Sequence, residues 1–175
     1  MKQPVRSLRS PKVEVRETPS RGRAIFAKEP IAAGEMVFIK SGHIVHKSVA
    51  AEVDRTIGDF SMQISDEYFL APVSADEVEQ FVVYFNHSCD PNIGPRGQVE
   101  FVALRDIAAG EELCTDYAMT VDTSNRAPYT LQCNCGSPLC RREITGLDWK
   151  LPELQKRYGS RFSIFILEKI LASCA

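Results

Sequence analysis

The stretch Asn86-His87-Ser88-Cys89-Asp90-Pro91-Asn92 decides how this chain folds and what it can do. It concentrates amide, imidazole, hydroxyl and thiol groups in one turn-forming segment, directly after the apolar run 81–85. Side chains in a turn project freely and can bind ligands or metals. Taken in isolation, His87 is explained equally well as a structural histidine, so the remaining motifs have to decide its role.

A second motif follows about forty residues later, where Cys133, Cys135 and Cys140 form a C-x-C-x4-C pattern. Gly136 and Pro138 predict a tight turn that aims the three thiolates at one point. Ordinary reduced cysteines are the alternative interpretation. The triple spacing favours a zinc site, since clustered cysteines in a reducing compartment are more often metal ligands than disulfides.

A closed structural zinc site needs a fourth ligand. Cys89, Cys114 and Cys174 are the candidates. Cys114 lies in the strand-like run 113–115, where a cysteine behaves as a small buried apolar residue. Cys89 is favoured because it lies in the turn 86–92, and a metal there would clamp the later chain across the middle of the domain.

Composition limits the classes of function. The chain has 175 residues, 44% of them apolar and 25% charged, which predicts one globular domain. The net charge of -2 lacks the basic footprint of a nucleic-acid binder, so we expect no direct nucleic-acid partner. Neither a signal peptide nor a membrane-spanning run is recognisable, which predicts no membrane association and an intracellular location, cytoplasmic or nuclear depending on the organism.

Short apolar runs separated by turns predict many short strands. Residues 24–27 and 36–39, joined by the turn 31–35, are expected to form an antiparallel pair. The phrase Ile-Ala-Ala-Gly-Glu of that turn recurs at 107–111, which we interpret as reused turn chemistry. A short helix is predicted at 50–55.

After Trp149, helical spacing recurs twice. Residues 151–158 and 162–170 each carry one apolar face, and Ser163 is a candidate cap for the second helix. That second helix is apolar on most sides, so it is expected to dock on the domain or to form a homodimer with a second copy.

Five phrases, read in order, closely resemble the successive signatures of SET-domain methyltransferases that carry a post-SET zinc segment: RGRAIFA, AAGEMVF, YFNHSCDPN, AAGEELCTDY and CNCGSPLC. The order of the last three is highly specific. The resemblance implies a mainly β fold with short helices, the knot-like β-clip SET fold. It also implies an arm at 1–11, a SET domain at 12–118, a post-SET zinc segment at 129–145 and a helical tail at 146–175.

The resemblance further implies a protein-lysine N-methyltransferase that uses S-adenosyl-L-methionine and Zn²⁺. Tyr117 would be the catalytic hydroxyl and would also touch the cofactor. The other expected cofactor-binding residues are Arg21, Gly22, Arg23, Asn86 and His87. The expected zinc ligands are Cys89, Cys133, Cys135 and Cys140. The substrate would be a lysine-bearing protein such as a basic, histone-like tail.

Several positions depart from the family pattern. Ala24, at the second glycine of the first motif, is small enough to be tolerated. Lys40 stands where many members carry an active-site tyrosine, so Tyr117 has to suffice, helped by Tyr84 or Tyr68. Val83 replaces the usual arginine ahead of Asn86. Because of these departures, a catalytically inactive SET-like binding module is the main alternative, and a zinc-containing nucleic-acid adaptor is a more distant one.

A small residue, Thr115, occupies the position two before Tyr117, where relatives often carry Phe or Tyr. That position resembles the product-specificity switch of the family. A smaller side chain there leaves room for a bulkier methylated amine, so the resemblance favours multiple methylation.

Overall fold

The computed structural model describes residues 5–19, 22–125 and 127–173. Short strands dominate, as the brief apolar runs predict. The strands are β1 (Leu8–Arg9), β2 (Val13–Thr18), β3 (Gly22–Ala27), β4 (Met36–Ile39), β5 (His43–His46), β6 (Met62–Gln63), β7 (Tyr68–Ala71), β8 (Asn86–His87), β9 (Ile93–Arg96), β10 (Glu100–Ala103), β11 (Cys114–Thr115), β12 (Thr130–Gln132) and β13 (Glu143–Thr145). The α-helices are α1 (Lys47–Thr56), α2 (Pro152–Tyr158) and α3 (Ile164–Ser173).

The largest sheet has the order β1-β4-β10-β9, and its neighbouring strands are antiparallel. Its inner face carries an aromatic stack. The ring of Phe38 stacks on two others: its centroid lies 4.6 Å from that of Phe85 and 4.4 Å from that of Phe101. Stacked rings bury large apolar areas. This core therefore anchors Phe85, the last residue before the turn 86–92.

The predicted pairing of residues 24–27 with 36–39 is wrong. Strand β3 pairs with β2 in its own two-stranded sheet, and β4 pairs with β1 and β10. The connection between β3 and β4 is too long for a tight hairpin. It crosses from one sheet to the other through an isolated bridge between Ile31 and Ile107.

That bridge explains the repeated phrase Ile-Ala-Ala-Gly-Glu. The amide of Ile31 donates to the carbonyl of Ile107 at 3.0 Å, and the reverse bond measures 2.9 Å. Both isoleucine side chains are almost completely buried. The two copies are thus paired with each other, which joins the early and late halves of the β core.

The late strand β11 runs between the two arms of the turn 86–92. It pairs in parallel with β8, and the amide of Asn92 donates to the carbonyl of Cys114 at 3.1 Å. The Asn92 side chain accepts from the Cys114 amide at 2.8 Å and donates to the Glu112 carbonyl at 2.8 Å. These bonds produce the knot-like crossing that the resemblance predicted.

The tail packs against the segment that follows β11. Met119, Trp149, Leu154 and Phe162 share an apolar cluster with the buried face of α3. Ser163 does not cap α3, since its buried hydroxyl has no hydrogen-bond partner among the described residues. Helix α3 therefore docks on its own domain, while a homodimer through its outer face stays a prediction.

Among the described residues, no helix is both long and apolar enough to span a membrane.

Candidate active site and metal centre

Four cysteines that are far apart in sequence meet beside the turn 86–92. The Sγ atoms of Cys89, Cys133, Cys135 and Cys140 all lie within 4.8 Å of one another. Those of Cys89 and Cys133 are 3.8 Å apart. Tetrahedral zinc with Zn–S bonds of about 2.3 Å requires sulfur–sulfur distances of about 3.8 Å. The cluster therefore fits one Zn²⁺.

Of the other two ligand candidates, Cys114 does not contribute to this cluster. Cys114 is buried in β11, outside the group of four. Cys174 lies outside the described residues. The choice of Cys89 from its position in a turn therefore agrees with the geometry.

The thiol pKa values within the cluster diverge, since burial raises those of Cys89 and Cys133. Burial raises the pKa of the Cys135 thiol, but backbone hydrogen bonds at Cys89 and Ser137 and neighbouring thiols outweigh it, so that the pKa falls to about 6. Thiolates, rather than thiols, bind zinc. The fold thus stabilises a thiolate at Cys135 at neutral pH.

Next to the cluster, His87 contacts both the thiol of Cys89 and the backbone of Tyr117. Its Nδ1 accepts a hydrogen bond from the Tyr117 amide at 3.3 Å, and its Nε2 lies 3.3 Å from Cys89 Sγ. With the proton on Nε2, one neutral imidazole satisfies both contacts. The side-chain amide of Asn86 donates to the carboxylate of Glu112 at 2.8 Å, which fixes its orientation.

The start of β3 approaches this region through Arg23. Its guanidinium donates to the Tyr84 hydroxyl at 2.9 Å, which brings the phrase RGRAIFA next to the residues that precede Asn86. Gly22 has φ of 68° and is exposed, a backbone conformation that favours glycine and leaves room for a ligand. Arg21, which was also expected to bind the cofactor, lies outside the described residues.

Tyr117 lines a cavity of about 490 Å³. Burial, followed by the charges of Asp59 and Cys114, raises the pKa of its phenol, so the hydroxyl stays protonated at neutral pH. Gly22, Arg23, Asn86 and His87 are not among the residues lining the cavity. Of these four residues, His87 contacts Tyr117, through the bond from the Tyr117 amide to His87 Nδ1.

Apolar and aromatic side chains form most of the cavity wall. These are Phe38, Phe60, Met62, Val82, Val83, Phe85, Ile93, Phe101, Val121, Tyr129 and Leu131. Two buried hydroxyls in the lining, Ser61 Oγ and Thr115 Oγ1, have no hydrogen-bond partner among the described residues. Buried polar groups are normally satisfied, so these two hydroxyls are exceptions within the cavity wall.

Two of the departures from the family pattern lie in the same wall. Lys40 is 8% exposed and lines the cavity together with Val83. Burial lowers the pKa of the Lys40 ammonium, and the charge of Glu79 opposes this effect only in part.

Neither of the tyrosines expected to assist Tyr117 lines the cavity. Tyr68 is half exposed, and the Tyr84 hydroxyl donates to Gln80 at 2.7 Å. Tyr129 is the second tyrosine of the wall, and sequence reasoning missed it. It lies in a polar stretch without periodicity, so no pattern in the sequence could have signalled its position.

A family model described as the SET domain matches residues 22–118. Histone-lysine N-methyltransferase 2B of Homo sapiens is 35% identical over 134 residues, which cover 69% of this chain and 5% of that protein. Histone-lysine N-methyltransferase trithorax of Drosophila virilis is 29% identical over 136 residues, 70% of this chain and 3% of that protein.

Histone-lysine N-methyltransferase set1 of Dictyostelium discoideum is 29% identical over 133 residues, which cover 69% of this chain and 8% of that protein. The chain thus spans less than a tenth of the length of each of these three curated relatives.

Proposed function

Since the chain belongs to the SET domain family, we propose that it transfers methyl groups from S-adenosylmethionine to the ε-amine of lysine in a protein substrate. One observation carries the proposal. Tyr117 lines an apolar cavity, and its backbone amide donates to His87, one of the expected cofactor-binding residues, which is not part of the cavity wall. An acceptor in the cavity and a donor held by His87 would therefore both lie next to Tyr117.

The cavity supplies the environment that an amine nucleophile needs. A free lysine has a pKa near 10.4, so at neutral pH almost all of it is protonated. Transfer into an apolar channel disfavours the ammonium and lowers this pKa. Desolvation and alignment then replace a dedicated general base.

S-Adenosylmethionine, when bound, supplies a methyl group on a positively charged sulfur. We assign its binding to the exposed backbone at Gly22 and Arg23 and to Asn86 and His87, with Arg21 proposed from the resemblance. Tyr117 contributes an oriented hydroxyl, since its amide is fixed by His87 and its Oη donates to the carbonyl of Phe85 at 3.4 Å. These residues hold the reacting groups in line rather than exchange protons with them.

The four-cysteine cluster would hold Zn²⁺ as a structural ion, with Cys89 from the turn 86–92 and Cys133, Cys135 and Cys140 from the later segment. Tyr117 packs against the same cluster. Four sulfur ligands leave no open position for a substrate. The ion would thus stabilise the wall of the site without taking part in methyl transfer.

For the substrate, we propose a basic, histone-like tail, in keeping with the names of the relatives. Three acidic residues of the segment 54–79 are already paired with basic side chains. Glu67 pairs with Lys47, Glu77 with His43 and Asp66 with Lys169. Asp59 is the acidic residue that lines the cavity itself. It would attract the cationic side chain before the proton is lost.

A binding module without catalysis is the second candidate, because Lys40 places a cation in the cavity wall. One experiment separates the two. The protein is incubated with S-adenosylmethionine carrying a labelled methyl group and a panel of lysine-rich proteins that includes core histones, and the products are analysed by mass spectrometry. We expect labelled methyl-lysine from the wild type and none from Tyr117→Phe.

Thermal stabilisation by S-adenosylmethionine, measured in the same preparation, reports cofactor binding separately. Binding without any labelled product would identify the module. Absence of both binding and product would refute the proposed cofactor site as well.

A further inference from the structure

Arg141 connects the cysteine cluster to Asp116, which caps the short turn Tyr117–Met119. It follows Cys140 directly, and its amide donates to Cys89 Sγ at 3.3 Å, so its backbone position is set by the cluster. Its side chain is 13% exposed and points to Asp116, the residue before Tyr117. One residue thus contacts the metal centre with its backbone and the active-site turn with its guanidinium.

The contact with Asp116 is a two-armed ion pair. Arg141 Nη1 lies 2.6 Å from Asp116 Oδ2, and Nη2 lies 2.9 Å from Oδ1. Nε of the same guanidinium donates to Asp148 Oδ2 at 3.0 Å. Asp148 in turn accepts from the amide and the hydroxyl of Thr145. The guanidinium plane is therefore fixed on both sides, a geometry that lysine cannot reproduce.

Asp116 connects the guanidinium of Arg141 to the turn that carries Tyr117. Its carboxylate is completely buried, and Oδ1 accepts from the Ala118 amide at 3.0 Å, which fixes the turn that carries Tyr117. The Tyr117 amide of that turn donates to His87 Nδ1 at 3.3 Å, and Asp116 Oδ2 accepts from the Tyr158 hydroxyl at 2.7 Å. Asp116 therefore holds the turn through which Tyr117 and His87 are connected.

We propose that Arg141 is a positioning residue for methyl transfer: by gripping Asp116 it sets the placement of Tyr117 and His87, and it makes that placement depend on closure of the four-cysteine cluster. This inference rests on the proposed function and deepens it. Loss of the metal would release the backbone of Arg141, and through Asp116 the active-site turn would lose its orientation. The cysteine segment then acts on catalysis without touching the reacting atoms.

The test compares Arg141→Lys with the wild type and with Arg142→Lys, an exposed neighbour in the same segment. Arg141→Lys keeps the positive charge but loses the fork, so the buried carboxylate stays compensated and the chain folds. Four quantities are measured: zinc per chain, the unfolding temperature, the Kd of S-adenosylhomocysteine, and kcat and KM with recombinant histone H3.

We expect Arg141→Lys to keep one zinc and an unfolding temperature close to that of the wild type. Its kcat should fall by about tenfold or more, because small misplacements of reacting groups are costly, while KM for histone H3 changes little. The Kd of S-adenosylhomocysteine should rise by a few-fold through His87. Arg142→Lys should match the wild type in all four.

Two outcomes overturn the inference. One is a folded, zinc-loaded Arg141→Lys with wild-type kcat and Kd. The other is an Arg141→Lys protein whose kcat falls only in preparations that have also lost zinc, because Arg141 would then act on the metal centre alone and not on the placement of Tyr117. If the wild type binds S-adenosylhomocysteine but methylates no histone or panel protein, the proposed function fails instead. The Kd of Arg141→Lys then decides the positioning role: an increase supports it and an unchanged value refutes it.

Discussion

The Tyr117 hydroxyl donates a hydrogen bond to the backbone carbonyl of Phe85 across 3.4 Å, although the two residues are 32 positions apart. Phe85 itself is stacked on Phe38 in the aromatic core. The hydroxyl is therefore oriented by the rigid interior of the protein rather than by a loop. A group that is fixed in this way needs no reorganisation when a substrate enters.

Removal of this hydroxyl should abolish most of the activity. We expect Tyr117→Phe to reduce kcat by about 10²-fold or more, the usual cost of deleting an oriented hydrogen-bonding group at a reacting centre. The fold should persist, because the ring keeps its packing. Methyl transfer by mass spectrometry and thermal unfolding test both statements, with Tyr68→Phe, at a half-exposed tyrosine outside the cavity, as the control. A folded Tyr117→Phe with wild-type turnover would contradict the assigned role.

The cysteine cluster predicts a dependence on zinc. Cys135→Ser should lower the zinc content from about one ion per chain to near zero and destabilise the protein by several kcal/mol, since metal binding energy is folding energy. Elemental analysis and thermal unfolding measure the two effects. Cys114→Ala, outside the cluster, should retain its zinc. Full metal occupancy in Cys135→Ser would show that the ion is held elsewhere.

The size of residue 115 should control how many methyl groups are transferred. Thr115 is buried and lines the cavity. In Thr115→Phe, the added ring should exclude a methylated amine, which shifts the products from di- and trimethyl-lysine to monomethyl-lysine. One methylene in an apolar pocket is worth roughly 10–200-fold in discrimination, so the shift should be large. Intact-mass spectra read the product ratio, and Thr115→Ser, which keeps the small volume, should preserve it.

Lys40 should lower the stability of the fold at neutral pH. Its pKa is lowered by burial, so folding costs free energy whenever both states carry the proton. We expect Lys40→Met to raise the free energy of unfolding by about 1 kcal/mol at pH 7. The gain should shrink as pH rises through the lowered folded pKa, and vanish above the unfolded value of about 10.4.

Denaturant titration at pH 7 and at pH above 10 measures this dependence. Lys28→Met, at an exposed lysine, should change stability little at either pH. A Lys40→Met protein that unfolds at lower denaturant than the wild type at pH 7 would mean that the ammonium is stabilised by its surroundings.

Local patterns in the sequence predicted the mainly β fold, the helices of the tail and the cysteines that meet around Cys89. Motif spacing carries this information because each signature is short and contiguous. Sheet partners were not accessible in the same way. Nothing in the apolar alternation of β3 distinguishes β2 from β4 as its neighbour, since strand pairing depends on contacts between distant segments. The cavity position of Tyr129 escaped prediction for the same reason.

The crossing of β11 between the arms of the turn 86–92 also sets an order of events for the growing polypeptide. Cys89 contacts Cys133, 44 residues later in the sequence, and the amide of Arg141, 52 residues later. Contacts over such separations form slowly and late. The closed four-cysteine cluster therefore cannot form before residues 133–141 have been synthesised.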